Sequence, residues 1–383
     1  MAAGWARAAG AVAVLALVAV GGWQAGHAKP TPVPTDTAVP EPSLAVPVPQ
    51  PTDFGALPPA EPTGVRLLVA TQGGLTEVDL DTGQRRPVTG VPPTGSGYRL
   101  DRTDGGAVIV QFRPACAGCV HGPYLVPAGS LAAVRLPGYD GAAPAAEPGV
   151  LWAYRTGAGP GHPGLVQQVD LAGRPRGPAY PLPPGRVVLR GTVAGLLTVR
   201  CCDTVELWEP RTGRRLRALQ QVIAASATQL AWVPDRCAFD CAVTVTDLPG
   251  SRERRYPLHA AGLGVCAAFF ANGIGQCAAF SADGTSLAVI AHRDPGGAGG
   301  PPGRAVYLLT GGEVTSVGAR VGAVLPDIGL ALGWVGWRLV LATSGPATRV
   351  RAPPLLLATT TVDRPELRVI AEPGLVGRAV VVR

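Results

Sequence analysis

The chain has 383 residues, a formal net charge of +7, 47% hydrophobic residues, 52 Gly and 40 Pro. That much Gly and Pro approaches low-complexity composition, but so apolar a chain buries surface; a wholly disordered protein is excluded, and the Gly and Pro read as turns between short apolar runs. The one lysine is Lys29, so residues 64–383 can hold no phosphate-loop lysine, no Ser-x-x-Lys nucleophile and no Schiff-base lysine.

At the N-terminus Arg7 precedes an apolar stretch from Ala8 to Trp23 and the small-residue sequence Gly26-His27-Ala28, the pattern of an export signal. The stretch is shorter than the about 20 residues a spanning helix needs. Residues 1–28 therefore read as a signal peptide cut after Ala28 or as a retained membrane anchor. No Cys lies near the end of the run, which argues against lipid attachment. Residues 29–63 are a Pro-rich linker with no strand pattern, including Thr31-Pro32-Val33-Pro34 and Pro47-Val48-Pro49-Gln50-Pro51. Fully extended at about 3.1 Å per residue, such a polyproline spacer reaches on the order of 100 Å. A spacer suits an N-terminus that stays in the membrane.

From Gly64 onward one pattern recurs: an apolar strand, an acidic or polar residue, then a Gly-containing turn. It reads Thr76 to Gly83, Gln168 to Gly173, Val205 to Gly213 and Val245 to Gly250, with fainter copies at Val134 to Gly138, Val306 to Gly311 and Thr361 to Asp363. The clear copies at Asp170, Glu209 and Asp247 are 39 and 38 residues apart, which suits one four-stranded unit each, such units taking roughly 40 to 50 residues. Ala278 to Val289 adds an apolar strand, an Asp283-Gly284 turn and a second apolar strand. Asp79-Leu80-Asp81-Thr82-Gly83 has half the acidic positions of a calcium loop without the third ligand or later Glu, and reads as a turn.

Ala278 to Val289 resembles the strand-turn-strand of WD40-like and TolB-like repeats, with Ala282 where the family has Pro. Val205 to Leu219 resembles a WD40 blade ending, Leu207-Trp208-Glu209 standing for Leu-Trp-Asp and Thr212-Gly213 for the turn after it. Gly-His dipeptides are missing from the expected places, which favours the TolB-like group. The resemblance implies an all-β fold, a β-propeller over residues 64–383, with seven four-stranded blades as the expected count and six or eight also compatible. The terminal run Arg378-Ala379-Val380-Val381-Val382-Arg383 is a strand with no blade of its own, expected to close the ring beside Val65 to Val69.

Arg211, Arg214, Arg215 and Arg217 cluster in one blade and Arg252, Arg254 and Arg255 in the next. They read as solvated surface arginines or as anion-binding candidates facing wall polymers or lipid head groups. His121, His162, His259 and His292 fall in expected loops, with no nucleophile beside any of them. Gly-x-Ser-x-Gly, His-Glu-x-x-His and the sialidase box Ser-x-Asp-x-Gly-x-Thr-Trp are all missing.

The eight cysteines sort by position. Cys116 and Cys119, Cys201 and Cys202, and Cys237 and Cys241 each lie between an expected second and third strand, and Cys266 and Cys277 lie in an expected inter-blade loop. In a propeller these connections share one face. An exported chain with an even count forms disulfides most simply. Cys237 with Cys241 and Cys116 with Cys119 are the expected local bridges; Cys266 and Cys277 pair together or reach Cys237. Neighbouring Cys201 and Cys202 form a strained ring or reach different loops. Zinc at Cys116, Cys119 and His121 lacks a second ligand pair.

Two functional readings follow. One is a non-catalytic extracytoplasmic propeller whose disulfide-stapled face binds a protein or cell-wall polymer. It needs no cofactor, does not bind nucleic acid, and touches the membrane only through its N-terminal segment. The other is a propeller hydrolase, lactonase or quinone-dependent enzyme, which needs several acidic, His or Arg side chains on the innermost strands. Those strands read as apolar, from Val187-Val188-Leu189, Ala224-Ala225-Ser226 and Ala278-Ala279-Phe280.

Overall fold

Short runs rich in Val, Leu and Ala, cut every few residues by Gly, Pro or Asp, are too short and too often interrupted for helices and form strands instead. The computed structural model describes residues 62, 64–71, 74–92, 98–112, 122–157, 163–200, 205–219, 221–233, 242–258, 278–292, 304–317, 328–344, 355–361, 368–371 and 378–382. The expected export segment 1–28 and nearly all of the linker lie outside these residues. No helix among the described residues is long and apolar enough to cross a membrane.

The described residues form seven four-stranded antiparallel sheets, one per blade. Blade 1 holds β1 (Arg66–Thr71), β2 (Gly74–Asp79) and β3 (Arg85–Val88). Blade 2 is β4 (Tyr98–Arg102), β5 (Val108–Phe112), β6 (Tyr124–Val126) and β7 (Val134–Arg135), and blade 3 is β8 (Gly141–Pro144), β9 (Val150–Arg155), β10 (Gly164–Asp170) and β11 (Pro175–Leu182). Blade 4 is β12 (Arg186–Thr192), β13 (Gly195–Arg200), β14 (Val205–Glu209) and β15 (Arg214–Leu219), and blade 5 is β16 (Gln221–Ala225), β17 (Gln229–Val233), β18 (Ala242–Asp247) and β19 (Glu253–Pro257). Blade 6 is β20 (Ala278–Phe280), β21 (Ser286–His292), β22 (Arg304–Thr310) and β23 (Glu313–Val317), and blade 7 is β24 (Ile328–Val335), β25 (Arg338–Ser344), β26 (Leu355–Thr361) and β27 (Arg368–Ala371).

The last strand, β28 (Arg378–Val381), completes blade 1 as its innermost strand. It pairs with β1 through Leu67 with Val381, Leu68 with Val380, Val69 with Ala379 and Ala70 with Arg378. The two ends of the described ring thus share one sheet, as expected from the terminal run, and leave no open edge between the first and last blades.

Seven buried clusters hold the blades together, one in each gap between neighbours. Period-2 alternation makes this possible, because each middle strand serves two gaps. Leu67 and Val69 pack toward blade 7, and Leu68 and Ala70 toward blade 2. Strands buried on both faces read as continuous apolar runs.

The repeat pattern falls on the third strand and the turn after it in five of its seven copies, including Thr76 to Gly83 on β2 and Val205 to Gly213 on β14, and a sixth, Thr361 to Asp363, begins on the last residue of β26 and continues outside the described residues. Val134 to Gly138 is the exception. It contains the outermost strand β7, because the third strand of blade 2 is the short Tyr124–Val126. His292 is also corrected: it ends strand β21 opposite Arg304, since that hairpin ladder runs longer than its sequence suggests. The turn at Asp79 is as read, with Asp79 Oδ1 accepting from the Asp81 and Thr82 amides and the Thr82 hydroxyl.

Candidate functional site

The innermost strands of all seven blades line a central cavity of about 480 Å³, with the turns at Thr103-Asp104, Ser226 to Thr228 and Ser281 to Gly284 around one end. Its walls at β16 and β20 are apolar, as the sequence indicates. The expectation of an apolar channel fails at β4 and β12, where Asp101, Arg102 and Arg190 line the cavity, and at the adjoining turns, which add Asp104 and Asp283.

Two local features put these charges there. Along β4, residues two apart share a face, so Arg99 and Asp101 lie together and Arg99 Nε comes to 2.6 Å from Asp101 Oδ2. On β12 the register slips between Val188 and Arg190, a bulge at Leu189 that re-aims the strand and lets both Leu189 and Arg190 line the cavity. The turn after β4 is closed by the Thr103 amide and hydroxyl, both donating to the Ala107 carbonyl at 2.8 and 3.1 Å.

The charges are locked into the ring. Arg99 donates to the Leu189 carbonyl at 3.2 Å, joining blade 2 to blade 4. Gln111 Nε2 donates to Asp101 Oδ2 at 3.3 Å and to the Ala142 carbonyl at 2.7 Å, while Ala142 N donates back to Gln111 Oε1 at 3.2 Å. Arg190 Nη2 lies 2.7 Å from Asp104 Oδ1. Trp334 Nε1 donates to the Ala279 carbonyl at 2.9 Å, tying blade 7 to blade 6 at the cavity wall.

Burial pushes the Asp101 carboxyl above its ordinary value, although the Arg99 charge and hydrogen bond pull the other way. The Tyr154 phenol is pushed up to about 12, chiefly by burial. Arg102 is different from the other cations. Burial draws it below its ordinary value with only the attraction of Asp104 opposing. Its one hydrogen bond runs to the Trp334 carbonyl at 3.5 Å, and no carboxylate among the described residues lies within ion-pairing distance. The Nε atoms of Arg102 and Arg190 are buried without an acceptor.

The arginines singled out in the sequence lie elsewhere. Arg214, Arg215 and Arg217 are on the outermost strand β15, and Arg254 and Arg255 on the outermost strand β19; Arg211 and Arg252 are in the turns before those strands. Three already face carboxylates: Arg215 with Glu206 at 3.4 Å, Arg217 with Glu253 at 2.7 Å and Arg254 with Asp247 at 2.9 Å. Arg217 also stacks over Trp232 at 5.0 Å. Cys116, Cys119, Cys201, Cys202, Cys237, Cys241, Cys266 and Cys277 all lie outside the described residues, as do His121, His162 and His259. Among the described residues no three His, Cys, Asp or Glu side chains converge on a metal-sized site.

The missed residues carried a signal. Asp104-Gly105 follows Tyr98–Arg102 as Asp283-Gly284 follows Ala278–Phe280, which marks β4 as another innermost strand and its charges as channel charges.

These features define a seven-bladed β-propeller with a charged central cavity. No family model matches the sequence, and no curated protein does. Solved structures with a similar backbone arrangement include TolB from Acinetobacter baumannii, 13% identical over 83% of this chain and 66% of that one, with a TM-score of 0.44. A puromycin-hydrolyzing peptidase from Mycobacterium tuberculosis is 15% identical over 79% of this chain and 51% of its own, at 0.48. A putative 6-phosphogluconolactonase from Bacteroides uniformis is 12% identical over 83% and 99%, at 0.45. The chain thus spans about two thirds of the TolB chain and about half of the peptidase.

Proposed function

We propose that the protein is a non-catalytic binding propeller of the cell envelope. In this reading residues 1–28 direct export, residues 29–63 are the spacer, and the propeller of residues 64–383 binds its ligand at the cavity. The observation that carries it is the set of guanidiniums held at the cavity by rigid strands. Arginine only donates hydrogen bonds and keeps its proton, so it recognises acceptors and does not shuttle protons. Of the three carboxylates at the cavity, Asp101 and Asp104 are each engaged by an arginine, and Asp283 accepts from the Ser281 and Thr285 hydroxyls.

The opposite end of the ring is proposed as the docking face for a protein or cell-wall polymer. The strand ends Phe112 and Tyr124, Arg200 and Val205, Val233 and Ala242, and Pro257 and Ala278 flank the segments that carry every cysteine. All belong to second-to-third-strand or inter-blade connections, which open on one side of a propeller. One observation favours an enzymatic reading instead, as hydrolase, lactonase or quinone-dependent enzyme: a buried carboxyl pushed upward, such as Asp101, is a general-acid candidate.

Tagged full-length protein should retain a defined partner from solubilised envelope, and retain less of it once its cysteines are reduced and alkylated, with Arg211→Gln unchanged. Equal retention before and after reduction, or none by any, contradicts the docking-face reading.

A further inference from the structure

We propose that Trp337 and the cavity beside it form a docking site for the proline-rich end of this chain's own linker, Pro58-Pro59-Ala60-Glu61. The inference stands apart from the envelope reading, because it involves no external partner.

Strands β24 and β25 are joined by the two-residue turn Gly336-Trp337, since Val335 pairs with Arg338. Gly336 takes the positive φ, 52°, that such a turn needs at its first position. The turn holds Trp337 outward. At 69% exposure it is the most exposed large apolar side chain among the described residues. A lone exposed apolar residue is ordinary, but Trp337 also lines a cavity of about 250 Å³, together with the buried Trp334 and with Ser281, Asp283, Thr285 and Ser286.

The chemistry of this cavity narrows its occupant. Its polar side chains are engaged with one another or with the backbone. The Ser281 and Thr285 hydroxyls donate to Asp283 Oδ1 at 2.6 and 2.9 Å, the Thr310 hydroxyl donates to Ser286 Oγ at 3.0 Å, and Trp334 Nε1 donates to the Ala279 carbonyl at 2.9 Å. What remains to contact is chiefly apolar surface. A proline segment suits it, because proline has an apolar ring and no backbone N–H that docking would leave without an acceptor. Its polyproline form is extended before it binds, which is how aromatic-lined grooves take proline-rich segments.

The linker ends at this place. Arg338, the residue after Trp337, donates from Nη1 to the Pro62 carbonyl at 3.3 Å. Residues 58–61 lie outside the described residues and immediately precede this anchored carbonyl. Four residues in polyproline form span about 12 Å, enough to pass from Pro62 over the neighbouring turn. A short tether holds its segment at a millimolar effective concentration, so a contact too weak to form between separate molecules is populated here.

Fluorine NMR on the full chain carrying 5-fluorotryptophan tests this, with Trp337→Phe assigning the Trp337 resonance. In the wild type that resonance should be sheltered from a soluble paramagnetic reagent. In the double variant Pro58→Ser, Pro59→Ser it should shift and lose its shelter, while the Trp334 resonance stays unchanged. Both substitutions precede the first strand and keep the length of the linker, so circular dichroism and Tm should show the ring intact. A Trp337 resonance that the reagent broadens equally in wild type and variant overturns the inference. Shelter that persists in the variant, or that grows with protein concentration as a second copy would make it, overturns it as well.

Discussion

Arg190, on the innermost strand of blade 4, holds its guanidinium 2.7 Å from the carboxylate of Asp104, on the first turn of blade 2, so that two non-adjacent blades are pinned across the channel. Asp104 is 42% exposed on its side chain, whereas Asp101 beside it is 11% exposed. That difference separates two mutations. Asp104→Ala removes a carboxylate open to water but leaves Arg190, 14% exposed, without its partner, and should cost about 1 to 3 kcal/mol. Asp101→Ala leaves Arg99 buried and unpaired and should cost about 3 to 5 kcal/mol, while Arg99→Met with Asp101→Leu should be near neutral. Urea unfolding of the three variants gives the ranking, and a costlier Asp104→Ala would contradict it.

Ring closure gives the next expectation. Leu67 and Val381 face each other in the shared sheet, both fully buried. Leu67→Ala should cost about 2 to 5 kcal/mol, the range for a buried leucine whose cavity does not collapse. Removing residues 378–383 takes away the whole innermost strand of blade 1 and exposes the inner edge of β1, and should abolish cooperative unfolding followed by circular dichroism. A truncated chain that melts as sharply and as high as the full one would show that the seam contributes little.

The parts of this molecule legible in its sequence are those set by local periodicity. Strands buried on both faces appear as unbroken apolar runs, and Asp-Gly or Thr-Gly turns mark their ends, so the blades and the closing strand could be placed. The channel charges were harder to read, for a physical reason. Arg190 follows a bulge at Leu189, and a bulge breaks the alternation from which facing is inferred. Arg99 and Asp101 look like a solvated strand until the Gln111 and Ala142 contacts show that they are enclosed. The outer arginines looked functional because they are dense in sequence, although three of them have carboxylates of neighbouring strands as partners.

Acid should act on the turns. Backbone hydrogen bonds hold Asp79 and Asp170 below the ordinary carboxylate value, and the Ser281 hydroxyl does most to hold Asp283 there. A carboxylate lowered in the folded state stabilises the fold above its unfolded pKa, about 4, and loses that contribution as pH falls through the lowered value. Asp101, raised by burial, has the opposite sign: its contribution is present below about pH 4 and is lost as pH rises through the raised value. Melting temperatures taken downward from pH 5 should therefore fall less steeply in the triple variant Asp79→Asn, Asp170→Asn, Asp283→Asn than in the wild type. Parallel slopes would remove these turns from the acid response.

Export can be tested without the propeller. Residues 1–62 fused to a reporter active only outside the cytoplasm should give signal, and a mature chain beginning at Lys29 would establish release, whereas an intact Met1 in the membrane fraction would establish an anchor. A silent fusion, with the reporter expressed, contradicts export.

The cysteines give the last expectation, because their placement is selective. The chain has many connections, yet all eight cysteines fall in three second-to-third-strand segments and one inter-blade segment, the kinds that open on one side of the ring. If that side is a docking face, its long connections need restraint, and disulfides supply it by removing loop entropy from the unfolded chain, at about 2 to 4 kcal/mol per bridge. Purified protein should take up no thiol-alkylating reagent until reduced, and peptide mapping of the unreduced chain should recover Cys237 joined to Cys241. Reduction should lower the melting temperature, since the constraint acts on the unfolded state. Eight reactive thiols before reduction, or stoichiometric zinc in the purified protein, would replace the stapled face with a different use of these residues.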